Sequence, residues 1–427
     1  MFLAVSCAAN NPTGPFAAIK SRRRVMRWAV AFFLLHNCHI AAQDIMGEFG
    51  AGGDVRLIQT DLAALELDEN RKDLSCNVTP IRKATLGFDL RMHAGYGVTI
   101  PLKELAGSGN HLTIIFRVTP QQETARPIYF AQYFRVPPIE ADARGETYLE
   151  GSFDMGEGTY KVDWLMRDAS ERLCTYHWEV EATLAERDKD VALTLAPGEL
   201  AVSRYEVFEE DQPVTRASPE DGINVKVLVN FAPPNPNAAV LQPLDRNALI
   251  SIIRSIARDP RVSKFTLVAF NLQEQRVIFR QDEASRIDYA GLRTALESLN
   301  LGTIDVGRLS HRNGEALFLA ELLQREITEA KGVDAMILAG PKALLSQNLS
   351  ADELRKIGPL RFPLFYLNYN LFPELIPWRD AIGNVVRFFK GTEYTITRPR
   401  DMWRAVGEMI TRIWQNKNER QLASKGQ

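Results

Sequence analysis

Residues 223–236, INVKVLVNFAPPNP, constrain the fold more than any other stretch of this chain. A short run dominated by Val and Leu, with almost no polar face, suits a strand covered on both sides, as in parallel sheets. It ends in a loop of prolines and asparagines. The loop after such a strand is where an open sheet flanked by helices builds its binding crevice.

The remainder of the second half alternates strands with helices. Residues 225–231, 265–270, 276–279, 335–339, 364–367 and 385–389 read as buried strands. Between them lie sets of apolar residues at i, i+3, i+4 and i+7, one stripe of an α-helix: Leu249, Ile252, Ile253 and Ile256; Leu292, Ala295, Leu296 and Leu299; Ala316, Leu319, Ala320, Leu323 and Ile327; Val406, Met409, Ile410 and Ile413. Ser350 with Glu353 makes a capping box for a further helix, and Pro399 marks a helix start. This order of elements predicts an α/β domain over 223–416 with a mostly parallel sheet, followed by a polar tail at 417–427.

The first half has a different period. Phe88 to Met92 and Val98 to Ile100 alternate apolar with polar, 112–118 is rich in Ile and Val, and 128–136 is rich in aromatics. Period two marks strands with one face in a core, so 50–195 is predicted as an antiparallel, Ig-like β-sandwich. Its clearest signature is GSFDMGEGTYKVDW at 151–164. Gly156 and Gly158 make a turn, Tyr160, Val162 and Trp164 share a face, and a strand returns through Cys174, Tyr176 and Trp178. The acids Asp154, Glu157, Asp163 and Asp168 lack the spacing of a calcium loop and are expected on a solvated face. Residues 196–222, with three prolines and the acidic run 209–211, read as a linker.

Residues 1–42 carry five basic residues, an apolar run of about eight residues (WAVAFFLL) and a small-residue end before Gln43. That order fits a secretory signal peptide, since a membrane-spanning helix needs roughly 20 apolar residues. Removing it leaves 46 Lys+Arg against 53 Asp+Glu, a net charge of −7. Such a surface does not attract nucleic acid. No segment of the mature chain is apolar enough to span a bilayer. Its two cysteines, Cys76 and Cys174, fall in the same β domain and form a candidate disulfide in an exported chain.

Catalytic motifs are absent: no Gly-rich phosphate loop comes after 225–231, no G-x-S-x-G elbow occurs, and no His pair has metal-ligand spacing. The order of elements in the second half resembles the von Willebrand factor A domain. Together with the exported β domain, it is similar to the acidobacterial VWFA-related family. The resemblance implies an α+β multidomain chain whose second domain is Rossmann-like. It also implies a metal-ion-dependent adhesion site at the strand ends, where Asp-x-Ser-x-Ser, a Thr and an Asp-Gly supply oxygen ligands. Here Asn230, Ala232 and Pro234 stand at the first motif, Ser310 or Asn313 at the Thr, and Gly340-Pro341 at the Asp-Gly. Such neutral replacements remove the charge that would hold Mg²⁺, so no metal and no cofactor are expected.

The remaining candidates are binding residues. Asn230, Asn235, Asn237, Ser310 and Asn313 line the expected crevice, and Tyr369, Phe372 and Trp378 form an expected aromatic surface past a strand end. The sequence reading is therefore a secreted or periplasmic, envelope-associated, non-enzymatic module with a protein partner. The rivals are an exported hydrolase with an unrecognised active site and a metal-dependent adhesin.

Overall fold

The computed structural model describes residues 43–47, 58–67, 70–121, 126–203, 208, 210, 213–218, 221–234, 238, 241–299, 314–343, 345, 349–374 and 380–425. The expected signal peptide, 1–42, lies outside the described residues. The chain forms two units. The first comprises Met1–Gly87 with Arg91–Arg204, and the second comprises Phe88–Leu90 with Tyr205–Gln427.

In the first unit, strands β1 (Gln43–Gly47), β5 (Asn110–Pro120), β6 (Ile128–Val136), β8 (Gly158–Arg167) and β9 (Leu173–Ala182) form one sheet in the order β1-β6-β5-β8-β9. Strands β2 (Asn77–Pro80), β4 (Met92–Pro101), β7 (Glu146–Met155) and β10 (Leu200–Val202) form a second in the order β10-β7-β4-β2, with β3 (Thr85–Leu86) also on β4. The alternation read from sequence places Tyr96, Phe116, Phe130, Phe153 and Trp164 on the inner faces, where they make one aromatic core. The Tyr96 and Trp164 ring centroids lie 5.3 Å apart, edge to face. A disulfide joins Cys76, just before β2, to Cys174 on β9, with their Cα atoms 6.4 Å apart. It ties the two sheets together across 98 residues of chain. The outer face of the first sheet is covered by helix α1 (Gln59–Glu66), whose Ala64 and Leu65 pack on Ile115 and Leu165.

The second unit has a six-stranded sheet in the order β13-β12-β11-β14-β15-β16, made of β11 (Ile223–Asn230), β12 (Val262–Asn271), β13 (Arg276–Ala284), β14 (Ala335–Pro341), β15 (Leu364–Tyr369) and β16 (Thr392–Ile396). Helices α2 (Pro243–Arg258), α3 (Tyr289–Glu297) and α7 (Pro399–Lys425) share one core with Val225, Val227 and Val229 of β11. Helices α4 (Gly314–Thr328), α5 (Ala351–Ile357) and α6 (Ala381–Phe388) pack on the other face with Leu228. The Ser350–Glu353 capping box opens α5.

Several expectations need correction. The fold class was expected to end in a Rossmann-like, VWA-like domain with a mostly parallel sheet. Among the described residues, nine of thirteen strand ladders are antiparallel, eight of them in the first unit and one in the third sheet, whose other four are parallel. The third sheet is mixed, because β13 returns on β12 through the 272–275 hairpin instead of a crossover helix. The chain is thus mainly antiparallel β with one mixed, helix-covered sheet. Residues 385–389 were expected as a strand but lie in and just after helix α6. The Asp380 carboxylate accepts from the Gly383 amide at 2.7 Å and starts that helix, and Ala381, Ile382, Val385 and Val386 form its buried stripe. Residues 417–425 continue α7 rather than forming a tail.

Of the four acids expected on a solvated face, Glu157 is half-buried and three are buried, with Asp154, Asp163 and Asp168 each at most 2% exposed. Each has a cationic partner: Arg91 at 3.1 Å from Asp154, Arg117 at 2.8 Å from Asp163, and Arg172 at 2.8 Å from Asp168. Sequence spacing around the 156–158 turn cannot show Arg91 and Arg117, which arrive from distant segments, whereas Arg172 lies four residues after Asp168.

Candidate binding site at the strand ends

Strand β11 is central: β12 lies on one side of it and β14 on the other, all three parallel. Chain connections leave in opposite directions at the carboxyl ends of β11 and β14, so that is where side chains of several elements converge. Asn230 ends β11 and is fully buried. Its Oδ1 accepts from the Ala232 amide and from the Leu272 amide, both at 3.1 Å. Those two bonds use both lone pairs of the oxygen and lock the loop after β11 to the end of β12. Asn230 therefore holds the loop, and its oxygen has no lone pair left for a cation.

The equivalent end of β15 carries a second buried amide, Asn368, whose Nδ2 donates to the Glu393 carboxylate of β16 at 2.7 Å. Between them, on β14, is Gly340 at φ +152°, where a Cβ would sit 2.8 Å from the Asn230 Cβ. A side chain at 340 is excluded both by this approach and by the backbone angle. Beside this row the Tyr366 hydroxyl donates to Asp380 Oδ2 at 2.8 Å, and the Ala343 amide donates to the same oxygen at 3.2 Å. Burial raises the Asp380 pKa, and bonds from the Gly383 amide, Tyr366 and the Ala343 amide oppose the rise. Burial and the neighbouring Asp380 push the Tyr366 hydroxyl up as well.

On the opposite face Tyr369 sits beside Asp245 of α2. Burial raises the Asp245 pKa, and the Tyr369 hydroxyl works against it. Tyr369 is 2% exposed, with Phe88 edge-on at 5.8 Å. Its expected place in an exposed aromatic surface is thus corrected: the alternation of β15 turns its ring into the core with Phe365 and Leu367. Phe372 is the reverse case, 64% exposed two residues beyond Asn370. The Asn370 amide donates to Ile396 O at 2.9 Å, and its side-chain oxygen accepts from the Phe372 amide at 3.3 Å. Phe372 is presented on a turn anchored to β16.

Of the residues singled out from sequence, the structure brings Asn230 into the cluster at the strand ends and sets Tyr369 and Phe372 at the end of β15. Asn235, Asn237, Ser310, Asn313 and Trp378 lie outside the described residues. Sequence reading missed Asn368, Tyr366, Asp380 and Asp245. One signal was available for Asn368: like Asn230, it is a lone amide near the end of an otherwise apolar strand.

A cavity of about 300 Å³ lies elsewhere in this unit, beside the first turn of α3 and the last turn of α2, lined by Val214, Arg216, Ala257, Ile287 and Tyr289 among others. Of the three arginines that line it, the half-buried Arg216 is already committed. The Arg216 guanidinium donates to Val262 O, Ala257 O and Ser285 O at 2.5 to 2.8 Å.

No protein-family model matches the chain, and no curated protein matches it. Among solved structures it is similar to a mutant of the PilB minor pilin from Streptococcus sanguinis, at 9% identity and a TM-score of 0.29, over 82% of this chain and 80% of that one. It is also similar to a Bacteroides uniformis beta-glucuronidase, at 10% identity and a TM-score of 0.19, over 74% of this chain and 38% of that one. A glycosyl hydrolase family 2 member from Bacteroides cellulosilyticus gives 10% identity and a TM-score of 0.18, over 73% and 37%. These scores are too low to carry a shared fold or activity.

Proposed function

We propose that this protein is an exported, non-catalytic module that binds another protein through the loop after β15. The observation that carries the reading is the presentation of Phe372. A phenylalanine 64% exposed gains nothing for folding, yet its backbone is fixed by the Asn370 turn and the bond to Ile396. Rigid, exposed aromatics supply contact area at low entropic cost and are enriched at interfaces. Two acceptors of the neighbouring polar cluster are spent on holding loops. The Asn230 oxygen and the Asp380 carboxylate are both saturated by backbone amides or a hydroxyl. Export is supported by the Cys76–Cys174 bond, because disulfides persist in oxidising compartments.

A photo-crosslinking residue placed at 372, and in a second variant at Leu422, tests the reading in the cell that makes the protein. Leu422 is as exposed, at 71%, but lies near the end of α7. A discrete adduct from 372 alone supports the assignment. Equal adducts from both positions, or none from 372, would sink it. Intact mass of the secreted or periplasmic protein tests export, with loss of about 42 residues as the expected result.

A further inference from the structure

The two buried asparagines at the strand ends each keep one polar atom without a partner among the described residues: Nδ2 of Asn230 and Oδ1 of Asn368. Both residues are fully buried, so each unpaired atom carries a full desolvation cost. Their orientation is fixed. The Asn230 oxygen is held on the β12 side by the Leu272 amide, so its Nδ2, across the planar amide, points towards β14. The Asn368 nitrogen is held on the β16 side by Glu393, so its Oδ1 also points towards β14. Residues 230, 340 and 368 share one face, as their neighbours Leu228, Leu338 and Tyr366 in a single core show. Gly340 pairs in register with Asn368, and Val229 pairs with Ala339, which sets Asn230 beside Gly340. Two strand spacings separate the asparagines, roughly 9–10 Å between backbones, so the amides do not meet directly.

We propose that Asn230 and Asn368 form a binding site, above Gly340, for one neutral group that both accepts and donates a hydrogen bond. The sign of the flanking groups excludes ions. A cation would face the Nδ2 hydrogens of Asn230, and an anion would face the Asn368 oxygen with the Glu393 and Asp380 carboxylates close behind. A neutral donor and acceptor satisfies both amides at once. Water has this chemistry, and so does a carboxamide. Either guest links the ends of β11 and β15 across β14, which stiffens the base of the loops beyond them. The site does not depend on a partner at Phe372.

The test is a crystal structure of the unmodified protein at a resolution that separates ordered solvent, together with a second crystal soaked in acetamide. The expected result is one density feature within about 2.7–3.2 Å of both Asn230 Nδ2 and Asn368 Oδ1. A single-atom feature in both crystals identifies a resident water. Its replacement by a planar amide in the soak identifies a site open to carboxamides. Direct contact between the two asparagines, no feature bridging them, or a feature at metal-ligand distance overturns the proposal.

Discussion

The outer face of the first sheet and the strand ends of the second unit both bury carboxylates, but they neutralise them differently. On the first sheet, Tyr129, Arg117, Asp163 and His177 form one row across β6, β5, β8 and β9. Asp163 is met by Arg117 Nε at 2.9 Å, Arg117 Nη2 at 2.8 Å and His177 Nδ1 at 2.9 Å. Burial disfavours its charge, but the bonds from His177 and Arg117 and the Arg117 charge outweigh burial and hold its pKa below the ordinary value. At the strand ends Asp380 receives a hydroxyl and two amide donors, and Asp245 has the Tyr369 hydroxyl beside it. There burial wins and both pKa values rise. A full opposing charge offsets desolvation of a carboxylate, whereas a few dipoles do so only in part.

The largest effect expected on this contrast comes from the covalent tie that only the first unit has. Replacing Cys76 and Cys174 by serine releases a loop spanning 98 residues and should cost about 4–5 kcal/mol. Urea unfolding followed by the buried Trp164 and Trp178 reads the loss; a shift under about 1 kcal/mol means the bond does not constrain the unfolded chain.

Next in size is the buried ion pair of the second unit, Lys226 with Glu326, where Nζ reaches Oε2 at 3.0 Å and Arg280 takes the other oxygen at 2.7 Å. E326L leaves Lys226 buried without its counter-charge and should cost about 3–5 kcal/mol, while adding K226M should recover most of it. A double variant as unstable as the single one would mean that packing, and not charge, is decisive there.

The pH dependence separates Asp163 from Asp245 and Asp380 by sign. Asp163, with a lowered folded pKa, contributes stability above its unfolded value near 3.9, and that stability is lost as pH falls through the folded value. Asp245 and Asp380, with raised folded values, oppose folding at neutral pH, and that cost disappears as pH falls through those values. The D245N curve therefore starts above the parent at neutrality and closes on it as pH falls through the raised folded value towards about 4, whereas the D163N curve starts below the parent, runs parallel to it down to about pH 4 and closes on it only at lower pH. Curves that move the same way would break the comparison.

The smallest effect is expected at Phe372. Changing F372A should move stability by no more than about 0.5 kcal/mol while removing the crosslinked or bound partner. A larger loss of stability would place the ring in the fold rather than at an interface.

Burial, rather than residue type, explains what could be read in advance. The period-two runs of β4, β5 and β8 and the helical stripes of α2, α4 and α7 were legible, because each element's apolar face is written in its own residues. The pair Val385-Val386 misled, since β-branched residues in a short buried helix look like a strand until the Asp380 cap is seen. The antiparallel return of β13 was also hidden: 276–279 reads as a strand in either direction, and only the pairing to β12 fixes its sense. At the candidate site Asn230 was visible from its place at a strand end, but whether it was exposed was not.

By itself, then, the sequence determined where the periods change, and so a β domain followed by strands alternating with helices. It also determined the polar caps, the pair of cysteines and the lack of a local catalytic motif. Tertiary structure alone decided that Asp154 and Asp163 are buried against arginines from other segments, and that Tyr369 turns inward while Phe372 turns out. It also decided that Asn230 and Asn368 face one another across Gly340. The division has one physical cause. Periodicity and capping act over a few residues and are encoded locally, whereas desolvation and charge pairing depend on which distant strand arrives alongside.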